Sequence, residues 1–439
     1  TTDPYILLHN YLGDSTHWYV TETAMHLVGS TPKRRCGIVL EAGHLRPEHR
    51  PLLPVEIYGS ALSSVARGAK EIGFFHYVHL MQQTEAGQTQ GQSAFDSVRG
   101  CYDLLERINP WLEGAEPVKR VALLYSRASD EYFQYYLSGE PNRDVLTHDT
   151  DDPRYPFLAQ KEVLYYLLRA GIPTDLYYLD QVSTEELADY EAIVVPFPFA
   201  VSEQQAQMLE ELVQANHGLF IFSEFGSVDE HGVPYERPVL VDLLGLMQAP
   251  VGQRSGRLHL IPGDDEIVLE GEFSVYDEVL PRPETGVVAM GDDGTSAITV
   301  RTPRPGGVMF LAGEFGIGLP ANHDSELRDR TVRVRPSDLS PGHETLLNTI
   351  FEEISVLGHV PDQDVELSLM RNAAGDYLLF AINWEETAAS VGVSLPGGLT
   401  GTGEGYSLGE DGSVSARSLA ADAPTLDLAP QRSEEHTSE

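Results

Sequence analysis

The stretch YEAIVVPFPFAVSEQQAQMLEELVQANHGLFIFS, residues 190–223, decides the fold. It opens on a short unbroken apolar run, AIVVP (192–196), and closes on a second, GLFIF (218–222). Runs of that length without polar alternation belong to strands covered on both faces, as in parallel sheets. The segment between them, 202–215, has the length of a helix, with Ser202 placed to cap it and Glu203 in its first turn. Strand, helix, strand in that order is a crossover between parallel strands.

Working outward, VALLY (121–125) and DLYYL (175–179) are further strands. A helix around 158–170 separates them and is stopped by Gly171-Ile172-Pro173. Together these predict an open, doubly wound α/β unit of flavodoxin-like type. Between about Gly252 and Gly318 the pattern turns β-rich (RLHLI, EIVLEG, GVVAM, SAITV, GGVMFLAG), and a helix from Gly342 to Leu357 is expected to pack back on the α/β sheet. From His359-Val360-Pro361 onward, VELSLMR, YLLFAINW and ASVGVSL alternate like strands of a small antiparallel sandwich reaching about Pro430.

Toward the N-terminus the pattern is strand (PYILLHNY), helix (Thr16 to Val28), strand (CGIVL), helix (about Val55 to Ala69), strand (IGFFHYV), helix (Phe95 to Ile108). Three strand–helix units are too few to close a barrel, and they read as the last three of one. The expected division is therefore 1–116, the C-terminal part of a TIM barrel; 117–358, the doubly wound unit with its β-rich insertion; and 359–431, the β-sandwich. The last eight residues, RSEEHTSE (432–439), read like translated sequencing adapter and carry no expectation.

The 439 residues hold 67 acidic against 29 basic side chains, a net charge of -38. Such a field repels phosphates and anionic lipid heads, so neither nucleic acid nor membrane is an expected partner. Lys33, Lys70, Lys119 and Lys161 are the only lysines. An acid-rich, lysine-poor surface suits a very salty cytoplasm, though a GC-rich genome alone also favours Arg. No run of eighteen apolar residues occurs, and the N-terminal residues show no signal-peptide pattern. The expected location is the cytoplasm. Cys36 and Cys101 are too few for a disulfide framework or a four-cysteine zinc site and read as buried thiols.

In LEAGH (40–44), Glu41 directly follows a buried-strand pattern. In a βα-barrel the C-terminal ends of strands converge on the active face, where a carboxylate can attack an anomeric carbon if a second carboxyl protonates the leaving group. A helix cap or solvated loop residue is the plain alternative for Glu41.

LEAGH and the following PVEIYGSALSSVARGAKEIGFFHYV resemble the microbial β-galactosidases of glycoside hydrolase family 42. So do EVLYYLLRAGIPTDLYYLDQ, the 190–223 stretch and GGVMFLAGEFG further on. The resemblance implies a retaining glycosidase in which Glu41 is the nucleophile and the acid/base Glu lies on a strand preceding Thr1. In that family a phrase like Arg67-Gly68-Ala69 leads into the eighth barrel strand, which supplies sugar contacts; here that strand carries Phe74-Phe75-His76-Tyr77, where the family usually has Trp and Arg. The resemblance further implies an amidotransferase-like trimerisation domain in the middle, a homotrimer, a galactoside-like carbohydrate substrate and no organic cofactor.

Phe75, His76, Tyr77, His44, His9 and Asn10 are the candidate substrate-binding residues. His76 and His79, three apart in a strand, face opposite sides and do not form one site; His44 and His49 read better as a solvated loop pair than as a metal site, and no metal is expected. Trp18 sits on a helical pattern and reads as core. Glu224 and Glu314 read as turn or interface residues. Amidotransferase activity is excluded, because GLFIFSEFG offers Ser223 where that chemistry needs a cysteine. The rival reading is a non-catalytic carbohydrate-binding or assembly scaffold with a degenerate barrel. A third is a hydrolase of another family with the same trimerisation module, cleaving α-linked or uronic sugars.

Overall fold

The computed structural model describes residues 37–42, 54–75, 81, 89–118, 120–132, 163–164, 167, 170–252, 254–261, 267–269, 273–301, 307–314, 341–351, 354, 357, 365–383, 389–393, 402–408, 414–420 and 425–428. The predicted strand PYILLHNY and the helix Thr16 to Val28, with Trp18, lie outside them.

The first described elements are β1 (Gly37–Glu41), α1 (Pro54–Ala66), β2 (Glu71–Phe75) and α2 (Thr89–Leu112). β1 and β2 pair in parallel, so α1 is the crossover that sequence periodicity predicts. Pro54 opens α1 at the one position where its missing N–H costs nothing. At the other end Gly68 takes φ +95°, its N–H bonds Val65 O at 2.8 Å, and Ala69 N–H bonds Ser64 O at 3.0 Å. That is a Schellman ending, with Arg67 as the C-cap residue. α2 runs longer than the predicted Phe95 to Ile108. Its opening TQGQS has no apolar repeat, and its last turn includes Pro110.

After β3 (Glu116–Pro117) come β4 (Val121–Tyr125), α3 (Arg127–Tyr132), β5 (Thr174–Tyr178), α4 (Thr184–Leu187), β6 (Ala192–Pro196), α5 (Glu203–Gln214) and β7 (Gly218–Phe222). Ser202 caps α5 as predicted: it accepts from Gln205 N while the Gln205 side chain accepts from Ser202 N. Gly171 at φ +70° and the bond Ile172 N to Leu167 O end the preceding helix, of which Val163, Leu164 and Leu167 are described and buried.

The β-rich segment contributes β8 (Arg254–Gly256), β9 (Leu258–Leu260), β10 (Ile267–Val268), β11 (Phe273–Val275), β12 (Thr285–Gly291), β13 (Ser296–Arg301), β14 (Val308–Leu311) and β15 (Gly313–Glu314). Most of it extends the α/β sheet itself. One nine-stranded sheet runs β10-β9-β12-β13-β14-β7-β6-β4-β5, and β8, β11 and β15 form a separate small sheet. β14 pairs with β7 in parallel, and β13 turns the sheet antiparallel. The five parallel strands therefore lie in the order second, first, third, fourth, fifth along the chain, the order of doubly wound sheets of flavodoxin type. Glu314, read from sequence as a turn or interface residue, lies in β15, opposite Ser274.

Both faces of the central parallel strands are covered. Val121, Leu123, Val194 and Phe220 enter one apolar cluster, and Ala122, Leu124, Val195 and Ile221 enter the other. At about 1.5–3 kcal/mol for each fully buried large aliphatic side chain, these two clusters are the main stabilising term of the region. Helix α6 (Pro341–Ile350) packs back on this sheet as predicted: Leu346 and Ile350 join the first cluster, and Phe351 meets Phe220 with ring centroids 5.0 Å apart.

The C-terminal strands are β16 (Val365–Arg371), β17 (Tyr377–Asn383), β18 (Ala389–Gly392), β19 (Thr402–Leu408), β20 (Val414–Ala420) and β21 (Thr425–Leu428), with antiparallel pairs β16–β17, β18–β21 and β19–β20. β3, at the expected boundary between the first two regions, pairs with β16. Val365, Leu367 and Leu369 pack toward Val391 and Val393. The other face of the β16–β17 pair packs on the N-terminal helices, where Met370 and Phe380 join Val65, Ala66, Leu104 and Ile108.

Candidate active site

The parallel pairing of β1 and β2 sets the candidate site. The register runs Gly37↔Glu71 to Glu41↔Phe75, so Glu41 and Phe75 end their strands side by side at one edge. Ile38 and Leu40 are buried against Ala61, Ala69 and Cys101, the side covered by α1 and α2. Strand alternation assigns position 41 to the opposite face, together with Gly37 and Val39. Glu41 and Phe75 are thus brought together by the backbone, whereas His9, Asn10, His44, His76 and Tyr77 lie outside the described residues, as do His49 and His79.

Behind this edge the packing is tight. Ala42 is fully buried with Ile57 and Ala94, and Phe74 meets Tyr102 edge to face at 5.7 Å, while the Tyr102 hydroxyl donates to Ile72 O at 3.1 Å. Cys101 is buried under β1, and desolvation pushes its thiol up to about 12, so it is inert, as expected of a buried thiol. Cys36 lies outside the described residues.

Sequence reasoning missed a buried charge pair in the same unit. Arg67, the C-cap of α1, donates to Glu366 on β16 at 3.0 Å, with side-chain exposures of 5% and 1%. Ser63 Oγ donates to the same carboxylate oxygen at 2.7 Å and Ser368 Oγ at 3.4 Å. The signal lay in VELSLMR, whose alternation reads as a strand of a small antiparallel sandwich and names no partner for Glu366.

Two other features lie at the C-terminal ends of the nine-stranded sheet. Ser223 has φ +66°, and Phe222 O accepts from both Phe197 N at 3.0 Å and Glu224 N at 2.8 Å. Ser223 therefore centres a tight positive-φ γ-turn, a strained conformation for a non-glycine residue, and Glu224 is the turn residue expected. Beyond β4 and β5 a polar cleft of about 720 Å³ opens, lined among others by Arg127, Asp180, Ser183 and Ser202. Its cation is already committed: Arg127 pairs with Asp180 at 2.8 Å and with Glu131 at 3.7 Å. Among the described residues no group of three or more potential metal ligands occurs, and no helix is long and apolar enough to cross a membrane.

Comparison with solved structures decides the fold type. A β-galactosidase from Rahnella sp. R3 superposes over 94% of this chain with TM-score 0.61 and 14% identity, and one from Bacillus circulans sp. alkalophilus over 95% with TM-score 0.60 and 15% identity. The fold is that of family 42-like glycoside hydrolases. An α-L-fucosidase from Paenibacillus thiaminolyticus shares it over 94% of the chain, at TM-score 0.55 and 13% identity. The chain spans 58% of the length of each of the two β-galactosidases and 62% of the fucosidase. No protein-family model matches the chain, and no curated protein matches it in sequence.

Proposed function

We propose that the chain is part of a retaining exo-glycosidase of β-galactosidase type, in which Glu41 is the nucleophile. The observation that carries this reading is the position of Glu41 at the C-terminal end of a parallel strand, in register with Phe75. In the reaction the Glu41 carboxylate attacks the anomeric carbon as the bond to the leaving oxygen breaks. A second carboxyl, supplied by sequence preceding Thr1 and roughly 5 Å away, protonates that oxygen. It then deprotonates the water that releases the sugar from Glu41, so the anomeric configuration is retained.

In this reading residues 1–116 belong to the barrel, 117–358 form an amidotransferase-like assembly unit and 359–431 a C-terminal β unit. The assembly unit joins three copies of the chain. Met247, Val251 and Leu280, exposed by 59%, 48% and 37% on neighbouring segments, supply apolar surface for that contact.

The test is hydrolysis of aryl β-galactosides by the full-length protein at low and multimolar salt, with an aryl α-L-fucoside in parallel. Glu41→Gln is expected to lower turnover by about three orders of magnitude or more while leaving the fold intact. Unchanged turnover would remove Glu41 from the reaction, and preference for the fucoside would move the substrate class to α-linked sugars.

A further inference from the structure

The geometry points to Arg67 and Glu366 as positioning residues for the Glu41 strand: their buried pair locks the end of the crossover helix α1, and through it β1, onto the C-terminal sheet. The kinetic part of this inference rests on the glycosidase reading above; the structural part does not.

The pair is an expensive choice for a packed interface. Two charges held at 5% and 1% exposure lose most of their hydration, and their attraction offsets that loss only when geometry and further hydrogen bonds are good. The Glu366 carboxylate meets that condition, accepting from Arg67 at 3.0 Å and Ser63 at 2.7 Å with Ser368 at 3.4 Å, whereas the buried Arg67 Nε makes no hydrogen bond among the described residues. The surrounding contacts would hold the sheet on the helices without it: Met370 and Phe380 pack among Val65, Ala66, Leu104 and Ile108, and Ile382 on Tyr58 and Leu62. Apolar contact is non-directional, however, and tolerates sliding. A carboxylate on the sheet that accepts from two donors at the end of one helix, Arg67 and Ser63, selects a single docking position.

Its place in the chain connects that docking to the site. Arg67 caps α1 inside a hydrogen-bonded Schellman turn, so its backbone has little freedom. Two residues later Ala69 packs beneath Ile38 and Leu40 of β1, and β2 begins at Glu71. From Glu366 to Glu41 the route is one packed path: β16, the end of α1, then the buried face of β1.

The experiment compares wild type, Glu366→Gln and the apolar pair Arg67→Met/Glu366→Leu in the full-length protein. It reads kcat and KM on an aryl β-galactoside, thermal stability, and amide exchange of peptides covering 37–42, 71–75 and 192–196. Displacing a catalytic group by a fraction of an ångström to 1 Å costs about 10- to 100-fold in turnover, so Glu366→Gln is expected to lower kcat by that factor with KM nearly constant. Exchange should accelerate in 37–42 and 71–75 but not in 192–196. The apolar pair should regain thermal stability without regaining kcat or the protection of 37–42. The inference is overturned if either variant shows wild-type exchange in 37–42 and wild-type kcat, since the pair would then be packing alone. If Glu366→Gln does not fold, the apolar pair decides by the same readouts. A wild type inactive on every glycoside would overturn the glycosidase reading, and exchange in 37–42 would still decide the positional claim.

Discussion

The central strands of the nine-stranded sheet and strand β16 both have two covered faces, yet they announce it in opposite ways. In β4, β6 and β7 every alternate position is apolar, so AIVVP and GLFIF read directly as doubly buried strands, and their observed ends coincide with the predicted ones. In β16 the residues 365–370 are all buried too, but the second face carries Glu366 and Ser368. VELSLMR therefore imitates a strand with one wet side. Polar alternation reports the chemistry of a face and says nothing of what covers it; a partner 299 residues away in sequence, Arg67, covers this one.

The sharpest way to break this comparison is to remove the carboxylate. Glu366→Ala leaves Arg67 charged and buried, and chemical denaturation should show a loss of about 3–5 kcal/mol. An effect below about 1 kcal/mol, the range of an exposed pair, would mean water reaches the pair and the face is wet after all. In the apolar sheet the matching change is Leu123→Ala, which opens a cavity between strands and helices and should cost about 2–5 kcal/mol. A much smaller cost would show that its cluster collapses to fill the gap. Ser202→Ala removes one half of the α5 capping box and is expected to cost about 1 kcal/mol in the same assay. Smallest is Ser223→Gly, which relieves a positive-φ residue and should raise stability by up to about 1 kcal/mol. A loss there would show that the Ser223 side chain makes a contact worth more than the strain.

What was legible in the sequence follows from locality. Caps, glycine stops and unbroken apolar runs act within a few residues, so Ser202, Gly171 and the strands around them were readable. So was the edge that joins Glu41 to Phe75, because a parallel pair with a crossover helix places both strand ends together. The start of α2 was missed because TQGQS carries no apolar repeat. The β-rich segment read as an insertion because strand patterns do not reveal which sheet a strand joins; β14 lies beside β7, and the rest follows. The Arg67–Glu366 pair was out of reach for a related reason, since it exists only once two distant segments have met.

The most direct test of Glu41 is to trap the covalent intermediate on the full-length protein with an activated 2-deoxy-2-fluoro-β-galactoside, whose fluorine slows release from the nucleophile. After tryptic digestion, one fluorogalactosyl increment is predicted on the peptide 36–67, and fragmentation should place it on Glu41. An increment on any other carboxylate, or turnover of the ordinary substrate with inversion of configuration and no trapped adduct, would contradict the assignment.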